Sequence, residues 1–274
     1  MSTVQSGYEI APDGTSYNYF CEVNAPVVVL IHGLGLCRHM WRDHIAYFAP
    51  YYRVLCYDLV GHGDSAAPTS TTNLSLYARQ LLGLLDHLQI ETVAVIGFSI
   101  GGMINRRFAI DHPDRLSALA ILNSPHDRSD EAQTLVEARA AAVRSEGSMA
   151  TMEAALQRWF TDDYRVSHPD FMETVRVWRR RVDAQSYAEA AWVLATGVKE
   201  LTCTTKKINV PTIVITSEND SGSTPDMAVT IASEIDWAEI CIVPELKHLG
   251  LIEQPQSFTA PVVKFFRKFP LSFS

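Results

Sequence analysis

Residues 92–102 read Thr92-Val93-Ala94-Val95-Ile96-Gly97-Phe98-Ser99-Ile100-Gly101-Gly102. Thr92 to Ile96 is an apolar, β-branched run, which predicts a strand buried in a parallel sheet. Gly102 to Ile110 predicts a helix that stops near His112-Pro113. Between the two stands a G-x-S-x-G pentapeptide, Gly97 to Gly101. Strand, G-x-S-x-G, helix is the arrangement of a nucleophile elbow, where a sharp turn exposes the serine hydroxyl. The glycines let strand and helix approach closely. Ser99 is therefore the candidate nucleophile, against the alternative of a serine in a structural turn.

The same rhythm runs outward in both directions. Residues 8–21 predict a hairpin about Pro12-Asp13-Gly14. Val27 to Ile31 predicts a buried strand ending at His32-Gly33-Leu34-Gly35, and a short helix follows over Met40 to Phe48. Arg53 to Tyr57 predicts the next strand, ending at Asp58 before the loop Gly61-His62-Gly63-Asp64-Ser65. Ser75 is placed to cap a helix in which Leu81, Leu82, Leu85 and Leu88 recur at helical spacing. Leu116 to Leu122 predicts another strand. Strands alternating with helices imply an α/β fold, a mostly parallel central sheet flanked by helices.

The alternation then stops. From about Pro125 to Lys207 no strand pattern occurs, and the composition is rich in Ala, Arg and Glu with helical periodicity. That length exceeds a crossover connection. It predicts an inserted helical cap over 125–207, with the core in 1–124 and 208–274. Alternation resumes with a strand at Thr212 to Thr216, a helix at Met227 to Glu234, a strand at Glu239 to Val243 and a closing helix at Phe258 to Lys268.

Composition narrows the function classes. A net charge of −8 without a basic block argues against nucleic acid as a partner. Five scattered cysteines without a C-x-x-C pair predict reduced, buried thiols and a cytoplasmic setting. The residues Met1 to Ser6 predict no secretion signal, and no apolar run reaches membrane-spanning length. There is no strand followed by G-x-G-x-x-G and no P-loop, so no nucleotide cofactor is expected. His39 and His44 lack metal-ligand spacing, so no metal is expected.

A serine hydroxyl needs a base within hydrogen-bond reach, and the base needs an orienting acid. In such sheets these groups come from loops at the carboxyl ends of strands. His248 follows the last strand and is the candidate base. Asp220 follows the strand at 212–216 and is the candidate acid, with Glu218 and then Asp226 as rivals. The loop after 116–122 offers Asn123-Ser124 instead of a carboxylate. Oxyanion donors are expected at the N–H of Ile100 and of Leu34. His32 is read as pinning its loop by hydrogen bonds, and Asp58 and Asp64 as tying down theirs. Trp159 is a candidate pocket residue. Trp178 and Trp192 read as core. Arg176, Arg179, Arg180 and Arg181 form a basic run, one of which suits a substrate carboxylate, unless the run is simply a solvated helix face.

His32-Gly33-x-Gly35, Asp58-x-x-Gly61-x-Gly63-x-Ser65, Gly97-x-Ser99-x-Gly101, Asp220 with Pro225, and Lys247-His248 together resemble the α/β-hydrolase family over essentially the whole chain. Val143-Arg144-Ser145-Glu146-Gly147, the stretch Arg158 to Tyr164, and Ile208-Asn209-Val210-Pro211 are most similar to 3-oxoadipate enol-lactonases. Those enzymes often carry Ser-Met at the elbow and a small residue before the base; this chain has Ser99-Ile100 and Lys247. The resemblance implies a cofactor-independent serine hydrolase that opens an enol-lactone carrying a free carboxylate. A general carboxylesterase is the next reading, then a carbon–carbon bond hydrolase of ring-cleavage products. A hydroxynitrile lyase, a perhydrolase or a non-catalytic ligand receptor would share the scaffold. The expected partner is a small-molecule ester or lactone, with neither nucleic acid nor membrane. A homo-oligomer stays open.

Overall fold

The computed structural model describes residues 8–21, 23–269 and 271. Its strands are β1 (Glu9–Ile10), β2 (Ser16–Phe20), β3 (Val27–Ile31), β4 (Arg53–Tyr57), β5 (Val93–Phe98), β6 (Leu116–Leu122), β7 (Thr212–Ser217) and β8 (Ala238–Val243). They form one sheet in the order β1-β2-β4-β3-β5-β6-β7-β8. The β1–β2 and β2–β4 pairs are antiparallel and all the others parallel. The strand that leads into Ser99 thus lies in the middle of the sheet, where register is held from both sides.

Strand residues alternate between the two faces, and both faces are apolar. Val28, Leu30, Val54, Cys56, Ala94 and Ile96 pack on one side. There they meet helices α1 (Arg42–Phe48) and α12 (Pro255–Phe266) through Phe48, Phe258, Val262 and Phe266. Val27, Val29, Ile31, Leu55, Val93 and Val95 face the other side. They meet α2 (Leu74–His87) and α3 (Ile100–Asp111) through Leu81, Leu85, Ile104 and Phe108. A covering helix on each face explains why these strands read as continuous apolar runs.

Between β6 and β7 lie α4 (Asp130–Glu146), α5 (Met152–Trp159), α6 (Asp162–Ser167), α7 (Pro169–Arg181), α8 (Ala184–Thr196) and α9 (Lys199–Thr202). Ser129, Thr161 and Asp183 cap α4, α6 and α8 by accepting from backbone N–H groups. α4 and α8 pack together through Ala140, Val143, Ala188, Ala191 and Ala195, small residues that allow close approach. The remaining helices are α10 (Pro225–Ser233), capped by Thr224, and α11 (Gly250–Glu253). No helix among the described residues is long and apolar enough to cross a membrane.

Several local expectations are corrected. Asn73, not Ser75, caps α2: its side chain accepts from Leu76 N at 2.8 Å, while the Ser75 hydroxyl turns to Asp111. The cap must precede the first helical residue by one, and that residue is Leu74. The helix after the elbow begins at Ile100 rather than Gly102. Trp192 is 40% exposed rather than core, with the Arg144 guanidinium over its ring. Cys21 and Cys203 are exposed rather than buried, and all five cysteines are free.

Candidate active site

Ser99 sits at φ 57° and ψ −116°, a backbone conformation that costs a non-glycine residue about 1–3 kcal/mol. The surroundings impose it. Ser99 N donates to Leu122 O on β6 at 2.9 Å, and Gly102 N donates to Ser99 O at 3.0 Å. A Cβ at Gly97 would run into Gly101 O, and one at Gly101 would come within 2.5 Å of Ile31 O. The glycines are therefore required by close approach of β5, α3 and β3.

The hydroxyl reaches His248. Ser99 Oγ lies 3.2 Å from His248 Nε2, and His248 Nδ1 lies 2.6 Å from Asp220 Oδ2. Nδ1 donates to the carboxylate, which leaves the Nε2 lone pair for the serine proton. The Phe98 ring packs 4.9 Å from the imidazole. Asp220 is 3% exposed and fully used as an acceptor. Oδ1 takes Gly222 N at 2.9 Å and Ser223 N at 3.0 Å, and Oδ2 also takes Asn123 Nδ2 at 2.9 Å. Burial works to raise its pKa. The facing His248, with hydrogen bonds from His248, Asn123 and Gly222, outweighs burial and holds the carboxyl below its ordinary value. The rival acids point elsewhere: Glu218 accepts from Glu245 N, and Asp226 lies in the exposed first turn of α10.

In the sequence Asn123 stands out only as the lack of a carboxylate. It is fully buried at φ 45°, and its amide also contacts the Ser217 hydroxyl at 3.2 Å. Asn123→Ala removes a charge-assisted donor from Asp220 and is expected to lower turnover about tenfold. It also moves the Asp220 pKa up toward its ordinary value. A depressed folded-state pKa stabilises the protein above the unfolded value and loses that contribution as pH falls. The stability gap between wild type and variant should therefore be open at neutral pH and close below the ordinary aspartate value of 3.8. Thermal unfolding across pH measures it; a gap independent of pH would remove Asp220 as the cause.

The β3 loop is fixed by buried polar groups. His32 Nδ1 donates to Gly33 O at 2.8 Å, and Nε2 accepts from Leu59 N at 2.9 Å, the pinning role read from sequence. Burial holds His32 down to about 4, so the ring is neutral. Asp58 and Asp64 both pair with Arg38 under the same loop. Leu34, beyond His32, lines the cavity above Ser99. Ile100 is fully buried, and its N–H is the first of α3, within the turn whose donors lack intrahelical partners.

That cavity has a volume of about 370 Å³. Ser99, His248, Asp220 and Phe98 line one side, and the inserted helices line the other. Trp159 is among them, its ring centroid 6.2 Å from that of His248. The His248 loop is stitched to the α5–α6 corner that carries Trp159. Leu249 N donates to Trp159 O at 2.8 Å, and Lys247 Nζ donates to Gln157 O and Asp162 Oδ1, both at 3.1 Å. Lys247 is thus tied to the inserted helices at the partly exposed rim of the site.

The basic run on α7 is split by its helix. Arg176 pairs with Glu153 and Arg180 with Glu173, both outside the cavity. Arg179 turns inward, 2% exposed, and lines the cavity. Arg128, Arg139 and Arg158 line it too, and sequence reasoning missed them. For Arg139 a signal exists: it stands on the α4 face of Val136, Ala140 and Val143, which also line the cavity. Among the described residues no three His, Cys, Asp or Glu side chains converge on a metal site.

A profile described as the alpha/beta hydrolase fold matches residues 26–255. The chain belongs to the α/β-hydrolase family. The membership supports hydrolase activity, and it agrees with the resemblance read from the motifs. The chain is 29% identical over 254 residues to 3-oxoadipate enol-lactonase 2 of Acinetobacter baylyi, covering 93% of both chains. The solved enol-lactonase of Burkholderia xenovorans LB400 matches with a TM-score of 0.83 and 30% identity, over 95% of this chain and all of that one. A thermophilic esterase from Thermogutta terrifontis matches with a TM-score of 0.81 and 26% identity, over 93% of this α/β-hydrolase and 94% of that chain.

Proposed function

We propose that the protein is a serine hydrolase that opens a lactone or ester of a small carboxylic acid through an acyl-enzyme, with 3-oxoadipate enol-lactone as its substrate. The observation that carries the reaction type is the hydrogen-bonded line Ser99–His248–Asp220 facing one cavity. The likeness to enol-lactonases over nearly the whole chain supports the substrate.

Ser99 Oγ attacks the acyl carbon while His248 Nε2 takes its proton. Asp220 holds the imidazole tautomer and stabilises the imidazolium. The tetrahedral oxyanion is held by the N–H groups of Ile100 and Leu34. The acyl carbon–oxygen bond breaks, and His248 returns the proton to the leaving enol oxygen. In a lactone that oxygen remains part of the same molecule throughout; water, deprotonated by His248, then adds to the acyl carbon, and the bond to Ser99 Oγ breaks and frees the serine. The single water oxygen enters the carboxylate, one water proton restores the Ser99 hydroxyl through His248, the other is released as the new acid ionises, and the enol becomes the ketone. The helices between β6 and β7 act as the cap, with Trp159 on the pocket wall. Nothing in these steps calls for a cofactor.

The match to an esterase favours general carboxylester hydrolysis as the second reading. Rates on 3-oxoadipate enol-lactone and on p-nitrophenyl acetate separate the two. Lactone opening faster by about a hundredfold or more supports the enol-lactonase. Ester turnover alone keeps the mechanism and discards the substrate. Turnover of neither sinks the reading.

A further inference from the structure

We propose that Glu253 is a positioning residue for the base: its carboxylate clasps Thr161 at the corner of the inserted helices, so that those helices hold the loop carrying His248. The proposal rests on the serine hydrolase reading for the work that His248 does. The clasp itself rests on hydrogen bonds.

His248 stands on a loop, and a loop by itself does not hold a side chain to the fraction of an ångström that proton transfer needs. The strand ends support this loop as far as Leu246, whose carbonyl accepts from Asn219 N at 2.9 Å. Beyond that point, among the described residues, the backbone of 247–249 makes one hydrogen bond outside its own turn, from Leu249 N to Trp159 O. The chain then enters α11, a single turn too short to be stable alone. Two side chains anchor that turn: Leu251, fully buried in the core, and Glu253. Glu253 Oε1 accepts from Thr161 N at 2.8 Å, and Oε2 accepts from the Thr161 hydroxyl at 2.6 Å. No cation pairs with Glu253 among the described residues. Both carboxylate oxygens are thus spent on the two donors of one residue, in charge-assisted bonds stronger than neutral ones.

Thr161 is a firm post. It caps α6, its hydroxyl also accepting from Tyr164 N at 3.3 Å. Phe160, just before it, is fully buried, with its ring stacked on that of Tyr164 at 5.5 Å. Trp159, one residue earlier, supplies the carbonyl that Leu249 N reaches. Glu253 and Leu249 therefore grip neighbouring points of one rigid corner. On the other side of His248, Lys247 reaches the same corner, but its partner Asp162 is 75% exposed. Exposed ion pairs contribute little. Glu253 is thus the side chain on which the tie depends. The contact at stake is the longer one at the base: Ser99 Oγ lies 3.2 Å from His248 Nε2, against 2.6 Å from His248 Nδ1 to Asp220. A small withdrawal of the loop costs the serine its partner first.

The test reads kcat/KM on p-nitrophenyl acetate, whose acyl group is small enough to leave most of the cavity wall untouched. Glu253→Ala should lower it about tenfold. In a His248→Ala background the same substitution should change the residual rate by less than about twofold, because a positioning residue acts only through the base. Glu253→Gln should keep most of the wild-type rate: its amide oxygen accepts from Thr161 N, and its NH2 donates to the Thr161 hydroxyl. Glu253→Ala within about twofold of wild type overturns the proposal. So does an equal loss in both backgrounds, the mark of a pocket loosened in general. If Glu253→Ala fails to fold, Thr161→Val, which keeps the main-chain donor, is read in the same two backgrounds by the same criteria, with a loss of about threefold expected. If wild type shows no Ser99-dependent turnover, the hydrolase reading fails by itself. Amide hydrogen exchange at Leu249 then reads the hold on the loop, supported by faster exchange in Glu253→Ala and overturned by unchanged exchange.

Discussion

Ser99→Ala should lower turnover of the lactone and of any ester by at least about a thousandfold, with fold and stability nearly intact. Only one oxygen is removed, so the effect isolates the nucleophile. His248 loses a 3.2 Å partner but keeps its 2.6 Å bond to Asp220, so the base stays in place. The backbone at residue 99 keeps its strained φ of 57°, because the bonds to Leu122 and Gly102 use main-chain atoms. Alanine is no better suited to that conformation than serine, so no release of strain is expected. Residual activity above the solution rate is expected from the proposed oxyanion donors at Ile100 and Leu34 and from binding alone. A variant that keeps more than about a tenth of wild-type turnover would place the nucleophile elsewhere. Circular dichroism and thermal unfolding of the same preparation exclude misfolding as the cause.

The core was legible because each parallel strand is covered on both faces. Val27 to Ile31 and Val93 to Ile96 read as unbroken apolar runs, and they lie buried between α1 with α12 and α2 with α3. Ser99, Asp220 and His248 come from three distant segments. A local motif and two strand ends sufficed to nominate them, since a parallel sheet delivers its strand ends to one edge. Side chains of the inserted helices were harder. Whether Arg176 or Arg179 faces inward depends on the docking of α7, which no local pattern encodes. Arg158 gives no signal, because a polar residue beside Trp159 has no periodic signature. Asn123 stood in view, but its service to Asp220 depends on β6 and β7 being neighbours in register, Leu122 beside Ile215. Trp192 misled because a large aromatic in a helix is usually buried, and here a cation covers its face instead.

Asp220→Asn should lower turnover by about a thousand- to ten-thousandfold, far more than loss of its helper Asn123. Four donors converge on this carboxylate: His248 Nδ1–H, Asn123 Nδ2, Gly222 N and Ser223 N. An amide has one acceptor oxygen and must aim its NH2 at one pair of them. With NH2 toward Gly222 and Ser223, two backbone donors lose their acceptor and the loop after β7 is destabilised. With NH2 toward His248, the imidazole must turn its lone pair to Nδ1. Nε2 then carries the proton and cannot accept from Ser99, which disables the base outright. Either arrangement also removes the negative charge that favours the imidazolium during attack. The two are separable. A loop defect shows as lost stability at neutral pH that narrows as pH falls through the depressed Asp220 pKa, because protonation of wild type removes the same charge. A tautomer defect shows as a fall in kcat with a native melting temperature and partial recovery at high pH, where hydroxide replaces His248 as base. Turnover within about tenfold of wild type, with both signs absent, would return the role of acid to Glu218.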